Sequence, residues 1–120
     1  MTQPPPTAEE LLAAVREFLS DELAPQLDGR LRFHARVAAN VLGIVERELR
    51  DGPAGAAAEG ARLVELLGEE GSPADLAARL AAMLRSGAIA PDDPAVLDHL
   101  RRTAADDVAI ANPRWAEPPA

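Results

Sequence analysis

The sequence has no cysteine and no lysine, and only three aromatic residues, Phe18, Phe33 and Trp115. Without cysteine there is no disulfide, no thiolate metal site and no thiol nucleophile. With so few aromatics the core has to be filled by Leu, Val, Ile and Ala. That favours closely approaching helices over a strand-rich fold. All 12 basic residues are arginine; no folding rule requires this, and biased genomic base composition is the plain explanation. A basic stripe is also missing. The formal net charge is −8, which argues against nucleic acid and against anionic membrane surfaces as partners. No apolar run is long enough to cross a bilayer, and no basic start leads into one, so no secretory leader is expected. The expected location is the cytoplasm.

What is present fits one globular domain. The chain has 120 residues, 48% hydrophobic and 27% charged, enough to bury a core without staples. The expected fold is all-α, a compact bundle of about five helices around a central buried helix. Residues 1–6, with Pro4 to Pro6, read as a disordered proline-rich lead. Residues 7–115 read as a single helical domain, and 116–120 as a flexible tail.

Local signals place the helices. Thr7 and Glu10 form a capping box ahead of Leu11, Leu12, Val15, Phe18 and Leu19, and the pattern ends near Leu23, before Pro25. Asp28-Gly29 is a turn. A long helix is expected from Arg30 to Arg50, stopped by Asp51-Gly52-Pro53. Its stretch from Val37 to Val45 is apolar nearly all round, broken only by Asn40, and so is expected to be buried on most sides. A weaker helix follows from Ala54 to Leu67. Ser72-Pro73 and Asp93-Pro94 each start a helix. The first of these ends at Gly87. The second carries Val96, Leu97, Leu100, Ala104, Val108 and Ala111 to Asn112-Pro113.

The polar residues offer little chemistry. Neither His34 nor His99 has a carboxylate three or four places on, which removes the helical metal and zinc-protease patterns. Asp106 and Asp107 are adjacent and point about 100° apart on a helix, a poor geometry for acid/base work. No phosphate loop and no nucleophile elbow occur. No catalytic residue, metal ligand or cofactor site is therefore assigned. Asn40 on the apolar face is expected to be buried and hydrogen-bonded. Arg30, Arg32 and Arg36 form a modest anion-binding candidate, neutralised by nearby Asp21, Glu22 and Asp28. Trp115 is expected to fold back onto the helical body, since an indole returns free energy when buried. Arg114 and Trp115 are the residue types that anchor protein contacts.

Three stretches carry a resemblance. Thr7-Ala-Glu-Glu-Leu-Leu-Ala-Ala-Val-Arg-Glu-Phe-Leu19 is the first. Phe33-His-Ala-Arg-Val-Ala-Ala-Asn40, with Ile44-Val-Glu-Arg-Glu-Leu49, is the second. Ala109-Ile-Ala-Asn-Pro-Arg-Trp115 is the third. Together they resemble a bacterial family of small helical proteins known only as a domain of unknown function. The resemblance implies a neighbourhood. Such proteins are encoded beside, or fused to, aminoglycoside-phosphotransferase-like kinases and acyl-CoA dehydrogenases. It carries no functional residues. The expected role is a non-catalytic accessory or protein-interaction module for such a kinase or dehydrogenase, or a homodimer. Partner contacts are expected at Arg36, Asn40, Arg114 and Trp115. The competing expectation is a small-molecule-binding domain, or an unrecognised enzyme, with a pocket near Asn40 and Arg36.

Overall fold

The computed structural model describes residues 4–116. Residues 1–3 of the expected lead and 117–120 of the expected tail lie outside the described residues. Among those described the fold is all-α, with no strand. The chain divides into two compact units, with the division between Gly52 and Pro53.

The first unit is a helical hairpin. The Thr7 hydroxyl accepts the Glu10 N–H at 3.2 Å and so starts α1, Ala8–Glu17. From Phe18 to Leu23 the chain widens into a π turn, closed by a bond from the Ala24 N–H to the Leu19 carbonyl. A 3-10 turn, Ala24–Gln26, follows. Pro25 has no N–H to continue an α ladder, which ends the element where the sequence indicated. Arg32 then reaches back. Its Nε donates to the Ala24 carbonyl at 3.2 Å and its Nη2 to the Pro25 carbonyl at 3.4 Å, so the guanidinium caps the end of the first arm.

The second arm is the start of α2, Gly29–Leu67, entered through Gly29 at φ +55, a conformation that costs glycine little. Arg16 on α1 forms a two-pronged ion pair with Glu46 on α2, so the arms run antiparallel. Ala35, Ala39 and Gly43 are buried. They recur every fourth residue and form one ridge. A Cβ at Gly43 would sit 3.7 Å from Arg16 Cδ, so the arms close over small side chains.

Two expectations fail in α2. The Asp51-Gly52-Pro53 signal does not stop it: the helix runs 39 residues with Pro53 inside, so the expected 30–50 and 54–67 helices are one element. A proline removes one ladder bond and Gly52 and Gly55 beside it are poor helix formers, so what carries the helix across is the packing of the segments before and after it. Nor is the Val37–Val45 stretch buried all round. Val41 is 51% exposed, and Val37 and Val45 are exposed as well. The physical reason is the hairpin itself: the unit has one other arm, which covers one side of α2, and that side is lined by alanine and glycine.

The second unit contains the second half of α2 together with α3, Pro73–Ser86, and α4, Pro94–Ala111. A short α5, Pro113–Ala116, ends the described chain. The Ser72 hydroxyl accepts the Asp75 N–H at 3.1 Å, and Asp93 Oδ1 accepts the Ala95 and Val96 N–H groups at 3.0 and 3.1 Å. Both caps precede a proline at the first helical turn, as the sequence signals required. Gly87, at φ +81, closes α3. Leu63, Leu76, Leu80 and Val96 form the buried core, with Val64, Leu67, Leu84 and Ile89 packed against it.

Candidate functional site

The buried polar group of the second unit is His99, 4% exposed. It lies one turn beyond Val96 on α4, so the period that buries Val96 carries it inward. Arg62 on α2 donates from Nε to His99 Nδ1 at 3.0 Å and from Nη2 to Thr103 Oγ1 at 2.9 Å. A nitrogen that accepts this bond carries no proton, so His99 is neutral with its hydrogen on Nε2. Burial, and then the Arg62 charge, hold the imidazole below the ordinary histidine value, against an opposing pull from Glu59 and Asp98. The cluster pins α4 to α2. The imidazole Nδ1 and the Thr103 hydroxyl both accept from one guanidinium, so the arrangement ties the two helices together. Among the described residues no three histidine or carboxylate side chains gather closely enough to hold a metal ion, and no helix is long and apolar enough to cross a membrane.

The first unit presents a different kind of surface. On α1 and the start of the π turn, Leu11, Val15 and Phe18 are about half exposed; their spacing makes one stripe. On α2, Phe33, Val37, Val41, Val45 and Leu49 are all exposed and recur every fourth residue along one ridge. The ion pair from Arg16 to Glu46 sets the register of the hairpin. Antiparallel counting from it puts Leu11, Val15 and Phe18 each within about one turn of Leu49, Val45 and Val41. Counting 100° per residue from this contact turns both triplets to the same side. The hairpin thus carries three apolar rungs, two helices wide. Patches of this kind mark contact sites.

The residues singled out in the sequence fare unevenly. Arg36 and Asn40 lie one turn apart on α2, and both are exposed. The expectation of a buried, bonded Asn40 is therefore not met, because the one other arm of the unit lies against the Ala35, Ala39 and Gly43 side of α2. Of the three arginines, Arg32 is spent on capping carbonyls, while Arg30 and Arg36 are exposed. Arg114 and Trp115 lie together on α5. The indole does not pack on the helical body: Trp115 is 80% exposed. Pro113 starts a further helical turn, with the Trp115 N–H bonded to the Asn112 carbonyl at 3.0 Å. That turn carries the ring outward instead of folding the segment back. Sequence reasoning missed Arg62. The signal available was the pattern Val96, His99, Thr103 along one face of α4, whereas Leu100, read as core, is exposed.

The profile of a family described as a domain of unknown function, DUF6285, matches residues 25–115. The chain belongs to that family. The match takes in α2 to α5 and leaves α1 outside. No curated protein and no solved structure matches the chain significantly.

Proposed function

With membership of this family as the premise, we propose that the chain is a non-catalytic protein-interaction module whose working surface is the apolar side of the α1–α2 hairpin. The observation that carries the reading is the exposed ridge Phe33, Val37, Val41, Val45 and Leu49 on a helix whose opposite side is closed by small residues. Apolar side chains of this size gain free energy when covered, and nothing in folding the hairpin covers them. The resemblance in the sequence supplies the partner class: an aminoglycoside-phosphotransferase-like kinase or an acyl-CoA dehydrogenase, for which this chain is an accessory subunit. Arg114 and Trp115, exposed side by side on α5, provide a second contact point.

The test is association of the purified chain with itself and with a purified kinase or dehydrogenase of that class, before and after Val41→Asp. Loss of an association in a variant that keeps its helix content supports the reading. A chain that associates with neither itself nor either enzyme overturns it.

A further inference from the structure

We infer that α2 is a two-state element: the continuous helix exchanges with a form broken at Asp51–Pro53, in which Asp51 caps a separate helix that runs on to Leu67. The inference goes beyond the interaction reading and does not depend on it. Three observations meet at this point of the helix.

The first is the ladder. Each N–H of an α-helix reaches the carbonyl four residues back, and a break strands the N–H groups that open the new helix. With Asp51 as the cap, the first three residues of the new helix are Gly52, Pro53 and Ala54. The Gly52 N–H stays on the Glu48 carbonyl and closes the first half. Pro53 has no N–H to strand, and in the continuous form it already leaves the Leu49 carbonyl without a ladder bond. The Gly55 N–H keeps the Asp51 carbonyl. Only the bond from the Ala54 N–H to the Arg50 carbonyl is given up.

The second is the cap that replaces it. Thr7, Ser72 and Asp93 each accept the N–H three residues on, and Ala54 lies three residues on from Asp51. Ser72 and Asp93 are followed by a proline in the first turn, and so is Asp51. In the continuous helix the Asp51 carboxylate is paired instead with its neighbour Arg50 at 3.1 Å, with both side chains more than half exposed. A surface pair of this kind holds the carboxylate weakly.

The third is packing. From Glu48 to Ala58 no residue is buried. The buried side chains of α2 lie before this segment, at Ala35 and Ala39, and after it, at Leu63. The division of the chain into two units falls between Gly52 and Pro53, so a break there takes no core side chain out of either unit. The same residues are thus a weak helix interior in one form and a complete helix start in the other.

The experiment measures a distance within α2. The chain has no cysteine, so Asn40→Cys with Glu65→Cys, both at exposed positions of α2, accepts a pair of spin labels and no others. Electron paramagnetic resonance of the frozen full chain then reads their separation. A continuous helix holds these positions about 38 Å apart at 1.5 Å per residue. The expected result is that component together with a shorter one. Gly52→Ala with Pro53→Ala is expected to remove the shorter component; a Cβ at Gly52 meets only the end of the flexible Glu48 side chain, so this variant folds. The cap has its own readout. Valine and serine are close to aspartate in helix propensity, but of the three only valine cannot cap. Asp51→Val is expected to lower the ratio of the shorter component to the longer by about fivefold, the worth of one cap, and Asp51→Ser is expected to keep it. A single component near 38 Å in the otherwise unmodified chain overturns the broken form, and a single shorter component overturns the continuous one. Equal ratios in Asp51→Val and Asp51→Ser overturn the capping by Asp51.

Discussion

Arg62 holds two acceptors on α4 with one guanidinium, His99 Nδ1 and Thr103 Oγ1. Removing it leaves a buried imidazole nitrogen without a donor. Arg62→Ala is therefore expected to lower stability by about 1–3 kcal/mol, the cost of an unsatisfied buried polar group, read from urea unfolding. His99 adds a pH dependence of known sign. Its folded value lies below its ordinary one, so the unfolded chain takes up the proton first. The stability that the neutral ring contributes is present above about pH 6.5 and is lost as the pH falls through the folded value. Unfolding curves between neutral and mildly acid pH should show this loss in the unmodified chain and not in His99→Gln; equal slopes in the two would refute it. Exposed residues behave in the opposite way. Asn40→Leu should change stability by no more than about 0.5 kcal/mol. The Trp115 emission should be that of a hydrated indole before and after unfolding. A blue-shifted native emission would place the ring in a contact. The sequence shows the Val96, His99, Thr103 face because that is a period within one helix. It does not show Arg62, which lies 37 positions from His99 on another helix. Trp115 was misread for a related reason: burial of a large ring depends on a neighbour that local sequence cannot supply.

At the scale of elements, the starts of helices are legible and the stop in α2 is not. Thr7, Ser72 and Asp93 each cap a helix through a bond two or three residues long, and a rule that acts over three residues can be read over three residues. Asp51-Gly52-Pro53 is a stop signal of the same locality, yet α2 passes through it. Whether a helix survives a proline depends on a competition. The proline costs on the order of 3 kcal/mol. Against it stand the packing of the segments before and after, one against α1 and one in the Leu63 core. Neither is visible in the three residues of the signal. Pro53→Ala restores a donor to the ladder without removing any core side chain. It is expected to raise the urea midpoint, by a stabilisation of up to about 3 kcal/mol. A lowered midpoint would show that residue 53 is not in a helix interior.

At the scale of the molecule, the two units spend their large apolar residues differently, and this contrast is what sequence periodicity could not decide. Both halves of α2 carry apolar residues at helical spacing. In the second unit α3 and α4 meet that spacing, and Leu63 is fully buried. In the first unit the one covering arm meets Ala35, Ala39 and Gly43, and the valines are left outside. The run from Val37 to Val45 therefore signals a surface that needs covering, and within one copy it is not the core it suggests. The two cases separate by mutation. Leu63→Ala creates a cavity and is expected to cost about 2–5 kcal/mol at any protein concentration. Val41→Asp puts a charge where water already reaches, so it is not expected to unfold a single copy. What it is expected to remove is the free energy gained when a partner covers the patch. Binding that favours the folded state raises the unfolding temperature with concentration. The melting temperature of the unmodified chain, followed by circular dichroism, should therefore rise when a purified partner that covers the patch is added. That of Val41→Asp should stay fixed at the value of the chain alone. A Val41→Asp chain that is unfolded would mean that Val41 belongs to a core, and a melt of the unmodified chain that no such partner raises would refute the interaction reading at this face.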